Sequence, residues 1–385
     1  MPSRLPALLA VLVVVVAVVI AAYHLRHDRA QWSPDAAIYL RMALQDRGVP
    51  PAEALRETDR FALEQTTLGA DPLTRTFYGA APPVYYRDQF GLFVSRPLYP
   101  AVASLLLPRF GPFGLKVVSA VAFVAAALLM YGLLLAFVPA WAAAVGALAL
   151  ALTPDVQGLS AAPLTDALAL CFWIAVMAAL FRYLRSPSAL HLTALVAATA
   201  LLAFTRPAIH LPLGAALAVA LVAPRGSVLR GSALRAATGV VAVGIAFAVF
   251  SALVHGPGVS TQLRWLYDWQ VATHESAASH GFAAWWVRSA GGSLAEELLV
   301  GIYKANMLLT VVLAVLGLLL RRRDVVAPVV IGAVVAALAG IAVTPLDVAR
   351  TVGVPIAAAL IVPAAIAIAR LGRAAVERPP AAVSP

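Results

Sequence analysis

Cysteine, lysine and charge are all scarce in this chain, and each shortage closes off a class of function. Cys171 is the only cysteine and sits inside an apolar run, so no disulfide can form within the chain and no cysteine-based metal site is available. Charged residues make up 12% of the 385 positions against 62% hydrophobic ones. A soluble core could not enclose that much apolar surface, and composition alone places the chain among membrane proteins. Lysine occurs twice, so the net charge of +10 is almost entirely arginine. That charge does not make a nucleic-acid surface, because many arginines stand between long apolar runs, where cytoplasmic loops carry them. Also missing are a Walker-type loop, a dinucleotide fingerprint, a GxSxG elbow and an HExxH helix. No apolar run holds a charge near its centre, whereas an ion-coupled transporter places an ionisable group or a broken helix near the midplane.

What is present is a succession of runs long enough to cross a bilayer. The first, residues 6–23, is a nearly unbroken Leu/Val/Ala stretch. It reads as a retained helix rather than a signal peptide, because only Arg4 precedes it and no small-x-small site stands before the His24 to Arg29 cluster. Nine more follow near 113–137, 140–157, 164–181, 189–204, 207–223, 235–254, 299–320, 325–344 and 351–369. The expected fold class is therefore all-α, a polytopic transmembrane helical protein with about ten spans, a single domain over 1–385 with both termini on one side.

Arginine sets the expected orientation. With the N-terminus inside, Arg4, Arg182, Arg185, Arg225, Arg230, Arg235, Arg321, Arg322, Arg323, Arg370, Arg373 and Arg378 face the cytoplasm, with only Asp324 and Glu377 as acids there. Twelve basic to two acidic residues in short loops is the bias that the positive-inside rule describes. Two long segments then lie outside, 24–112 and 255–298. The first holds half of the 18 acidic residues. Within it, Pro34 followed by Asp35, Ile38, Tyr39 and Met42 predicts a helix with one apolar face, and Glu53, Arg56, Glu57 and Arg60 predict a second with a charged stripe. The run from Arg96 to Leu107, bounded by Pro108, predicts a third, and all three are expected to be interfacial. The Pro/Ala-rich tail, 377–385, reads as disordered.

The ionisable residues gather at the external ends of the expected helices: Asp35 and Asp88 with Arg96, then Asp155 and Asp166, Arg206, and finally Asp347 with Arg350. Plainer roles exist for several. Asp166 could cap a helix beside Thr165, Asp347 and Arg350 could pair at i, i+3, Asp88 could pair with Arg87, and Arg96 could snorkel to lipid phosphates. His274, Glu275 and His280 have only loose metal-ligand spacing and read as a solvated loop. Trp265, Tyr267, Trp269, Trp285 and Trp286 read as interface anchors of the second long segment.

The order of these parts resembles the C-type superfamily of polytopic glycosyltransferases, which take a sugar from a polyprenyl-phosphate carrier at the outer or lumenal membrane face. The residues that carry the resemblance are Ser33-Pro34-Asp35-Ala36-Ala37-Ile38-Tyr39-Leu40 after the first span, Arg96-Pro97-Leu98-Tyr99-Pro100 before the second, Pro163-Leu164-Thr165-Asp166, Phe204-Thr205-Arg206-Pro207, and Asp347-Val348-Ala349-Arg350. The chain is short for the superfamily, and no soluble C-terminal domain follows to bind an acceptor, which leaves the acceptor open as a glycan, a lipid or a protein.

The resemblance implies an inverting transfer without metal or cofactor, at the outer face of a bacterial plasma membrane. A carboxylate takes the proton from the acceptor hydroxyl, and Asp35, just outside the first span, is the candidate base. A guanidinium stabilises the departing phosphate, with Arg96 the first choice and Arg206 and Arg350 next. Asp88, Tyr99, Asp166 and Asp347 complete the implied substrate-binding set, and the lipid bilayer holds the carrier tail. Two other classes fit the same features: a flippase or transporter of lipid-linked glycans, and a non-catalytic partner in cell-envelope assembly.

Overall fold

The computed structural model describes residues 4–27, 34–67, 91, 93–273, 281–296, 307–322, 324–342 and 352–376. These residues form helices and no strands. In chain order they are α1 (Leu5–His27), α2 (Pro34–Asp46), α3 (Pro51–Thr67), α4 (Leu98–Ser104), α5 (Leu107–Phe110), α6 (Gly114–Leu134), α7 (Ala140–Ala151), α8 (Pro154–Leu159), α9 (Asp166–Arg185), α10 (Ala189–Thr205), α11 (His210–Val222), α12 (Val228–Leu253), α13 (Val259–Thr273), α14 (Phe282–Glu296), α15 (Leu308–Leu320), α16 (Val326–Gly340) and α17 (Val354–Val376).

Five helical segments are long and apolar enough to cross a membrane: Leu5–His27, Leu107–Leu134, Asp166–Arg185, Val228–Leu253 and Val354–Ala374. Five shorter apolar helices, α7, α10, α11, α15 and α16, stand at the other expected positions. The clearest departure is at 140–157, expected as one span and found as two helices. Pro154 explains it: proline excludes the α conformation from the residue before it, and Thr153 is extended at φ −66°, ψ 125°. In contrast, α12 begins seven residues earlier than the expected 235, because Ser227 caps it by accepting a hydrogen bond from the Arg230 N–H at 3.2 Å, and Arg230 and Arg235 are simply helical.

The outer surface suits a lipid bilayer. On α1 only Val13, Ala17 and Ala21 are buried, one stripe at i, i+4, i+8, while Leu8, Val11, Val15 and Val19 are exposed. A helix that is apolar all round yet packed on one side needs a second apolar medium. Exposed Leu221, Ile245, Val249, Leu309 and Val335 extend that surface around the molecule.

Helix α9 is the centre. It packs against α6, α10, α12 and α17 and buries Trp173, Ile174, Met177 and Phe181. Trp173 Nε1 donates to the Pro355 carbonyl at the start of α17. In lipid, close packing rather than water exclusion holds helices together. Helices α11 and α16 cross at Gly214 and Gly332, where a Cβ on Gly214 would come within 2.5 Å of Ala336 Cβ. Gly317 of α15 similarly lets that backbone reach the carbonyl of Pro363 inside α17.

The two ends of the set differ. At one, Arg182 and Arg185 close α9, and Arg185 donates to Ala136 O beyond the end of α6 while lying over the Phe137 ring. Arg225, Arg230, Arg321, Arg370 and Arg373 also stand at or near helix ends. At the other end, α2, α3 and α4 form a cap whose apolar core also takes in Leu115 and Val118 of α6 and Leu164.

That cap corrects one expectation. Helix α2 is not a surface helix with a single buried face: Ala36, Ala37, Ile38, Tyr39 and Leu40 are consecutive and all buried. Helices α3 and α4 both pack on α2, so its second side is covered by protein. On α3 the expected stripe is exposed at Glu53, Arg56 and Arg60 and half-buried at Glu57, with Ala54 and Thr58 inward. The third expected helix, over 96–107, is found as α4 and α5. Pro108 lies in the first turn of α5 rather than stopping the helix, as a missing N–H is harmless there.

Candidate functional site

The cap meets the helical set through a chain of contacts that starts at Arg96. The Arg96 N–H donates to Phe93 O at 2.8 Å, closing a turn. This turn puts the guanidinium carbon 4.9 Å from the centre of the Phe93 ring. Arg96 Nη1 donates to the Tyr39 hydroxyl at 3.5 Å. Tyr39 is one helical turn beyond Asp35, so both occupy the same face of α2. Asp35 itself is half-buried in the first turn of that helix, where the helix dipole favours its negative charge.

Tyr99 carries the connection inward. Its ring stands edge-on to Tyr39 at 5.3 Å between centroids, and its hydroxyl donates to Leu115 O at 2.8 Å and lies 3.2 Å from Ser119 Oγ, both in α6. Burial pushes the Tyr99 hydroxyl above its ordinary pKa. Ser119 Oγ in turn reaches Leu164 O at 3.3 Å, two residues before α9. Tyr99 is fully buried and its hydroxyl is bonded within the protein, an arrangement that suits a supporting position.

At the start of α9, Asp166 accepts a hydrogen bond from Arg206 Nη1, which follows α10. Their side chains are 3% and 14% exposed. The resemblance implies separate substrate-binding roles for these two, and the sequence offers a helix cap as the alternative for Asp166. Thr165 rather than Asp166 holds the cap position, without a side-chain bond, and the carboxylate is committed to Arg206. Helix α4 also packs on α10, and Gly256, just past α12, lies against Ser95. Four of the five sequence segments singled out above therefore converge on one end of the helical set. Asp88, Asp347 and Arg350 lie outside the described residues, as do His274, Glu275 and His280.

Two residues at this end were not anticipated. Lys116, in the first turn of α6, is 2% exposed; it falls inside an expected span, and its lone charge near a helix end is the available signal. His210 opens α11 with its Nε2 against Gly340, the last residue of α16. The second long segment also differs from expectation. Trp285 is buried, packing against Tyr267 and Phe282 to clasp α13 to α14, and Trp286 Nε1 donates to Ala342 O at 2.8 Å. Both tryptophans make contacts within the protein. Among the described residues no group of three or more His, Cys, Asp or Glu is arranged to hold a metal.

No family model, no curated protein and no solved structure matches the chain.

Proposed function

We propose that this chain is a membrane glycosyltransferase that moves a monosaccharide from a polyprenyl-phosphate carrier to a hydroxyl acceptor at the external face of a bacterial plasma membrane. The observation that carries this reading is the joining of α2 to Arg96. The helix that bears Asp35 and the arginine 61 positions later meet through Tyr39, so a carboxylate and a guanidinium stand on one cap above apolar helices. In this reading all ten apolar helices span, the arginine-rich end faces the cytoplasm, and the cap faces outward, in keeping with the positive-inside bias.

Asp35 takes the proton of the acceptor hydroxyl as that oxygen attacks the anomeric carbon, and the carbon–phosphate oxygen bond breaks with its electrons on the phosphate. Arg96 stabilises the charge that grows there through charge-assisted hydrogen bonds. Asp88, Asp347 and Arg350 are proposed to complete the headgroup site. Arg206 is neutralised by Asp166, so its proposed part is to hold the end of α10 to the start of α9 beneath the cap. The carrier tail lies along the exposed apolar faces.

The test uses membranes carrying the protein or its Asp35→Asn form, supplied with labelled polyprenyl-phosphate sugars, with free carrier measured. Release by the native form and its loss in Asp35→Asn is the expected result. Equal release by both removes Asp35 as the base, and no release across several sugars sinks the transferase reading.

A further inference from the structure

We propose that Tyr39 and Phe93 are positioning residues that fix the Arg96 guanidinium in advance for a phosphate headgroup, which deepens the reading of Arg96 given above and rests on it. Arginine ends in a planar fork on a long flexible stem, and an anion that binds it must usually order that stem. Here the ordering is already done. The guanidinium lies over the Phe93 ring at 4.9 Å and Nη1 is engaged by the Tyr39 hydroxyl, so one face and one corner of the fork are committed to protein.

Both partners are themselves immobilised. Phe93 and Tyr39 are buried and stand edge-on to each other, 5.4 Å between centroids at 86°. Tyr39 also leans on Tyr99, which is anchored to Leu115 and Ser119. The guanidinium is thus referenced to α6 rather than to a surface loop. Its Nε is buried and has no hydrogen-bond partner among the described residues. A buried donor left unmade is unfavourable, and an anion whose two oxygens take the Nε–H and a neighbouring Nη–H in parallel would satisfy it. A tetrahedral phosphate monoester or diester offers two such oxygens.

The contribution of Tyr39 is separable from folding because its hydroxyl alone meets Arg96, while its ring does the packing. The experiment uses the full chain purified in micelles, titrated with a short-chain polyprenyl phosphate bearing no sugar, with inorganic phosphate in a parallel arm. Arg96→Ala should weaken lipid-phosphate binding by more than about tenfold, the scale of a lost hydrogen bond to a charged group. Tyr39→Phe and Phe93→Leu should each weaken it about three- to tenfold, and Phe93→Tyr, which keeps the ring, should restore it. In an Arg96→Ala background Tyr39→Phe should have no further effect.

Unchanged binding in Arg96→Ala overturns the reading of Arg96 itself. Weakened binding in Arg96→Ala with native affinity in both Tyr39→Phe and Phe93→Leu overturns the positioning proposal alone. An equal effect of Tyr39→Phe with and without Arg96 also overturns it, since a general structural role would act in both backgrounds. Binding of inorganic phosphate as tightly as the lipid phosphate assigns the site to a free anion and overturns the lipid-headgroup assignment.

Discussion

Arg206 donates to Asp166 across 40 residues of sequence, and the pair seals the junction where α9 begins and α10 ends. Neither charge sees much solvent. Removing one partner from such a pair strands the other charge, at a cost of about 3–5 kcal/mol, whereas replacing both by apolar groups of similar volume can be nearly neutral. Asp166→Leu and Arg206→Met should each therefore lower stability strongly, and the double variant should recover most of the loss. Chemical unfolding in micelles measures this. If the double variant is as unstable as the sum of the singles, the two residues act independently and the strut role of Arg206 is lost.

Close packing in place of water exclusion leads to a second outcome. Gly214 faces Ala336 Cβ and Gly332 O, which a Cβ would approach to 2.5 and 2.7 Å. Overpacking of this kind costs about 1–3 kcal/mol when side chains can move and more when backbones must part. Gly214→Leu should accordingly separate α11 from α16 and lower the unfolding temperature sharply. Gly132 in α6 meets nothing within 4 Å, so Gly132→Ala should be neutral or stabilising by about 0.5–1 kcal/mol, the helix propensity difference. Equal behaviour of the two variants would mean that the glycine crossing does not hold the helices together.

How much of this was legible in the sequence depends on the range of the signal. Runs of apolar residues fixed the positions of α1, α6, α9 and α17 because a long helix in lipid needs only local composition. Thr153-Pro154 carried a readable break that apolar content masked, and Ser227 carried a cap hidden behind Arg230. The Pro34 start of α2 was readable, but its enclosure was not, because the second cover comes from α3 and α4. The pairing of Asp166 with Arg206 and of Tyr39 with Arg96 has no signature in the sequence, since no periodicity joins positions 40 or 57 apart.

Tyr99 yields a third prediction. Its hydroxyl satisfies Leu115 O and shares Ser119 Oγ in a site with no solvent. Tyr99→Phe keeps the ring contacts with Tyr39 but leaves a buried carbonyl and hydroxyl underserved, a loss of about 1–3 kcal/mol. The same substitution should leave the cap folded, because the aromatic packing persists. Hydrogen exchange would show faster opening around α4 with α9 unchanged; uniform destabilisation of the whole chain would instead make Tyr99 part of the central core.

Orientation can be read directly because the chain has one cysteine. Cys171 is buried in α9, and Cys171→Ser should provide a folded, unlabelled background at the modest cost of a small polar substitution in the core. Ser186 is exposed between α9 and α10, beside Arg182 and Arg185, and Ser260 is exposed in the first turn of α13. The proposed orientation has the first inside and the second outside. In intact cells a membrane-impermeant thiol reagent should therefore modify Ser260→Cys and spare Ser186→Cys until the membrane is opened. Modification of Ser186→Cys from outside would invert the topology, carry Arg96 and α2 to the cytoplasmic face, and remove the setting that a sugar donor presented at the external surface requires.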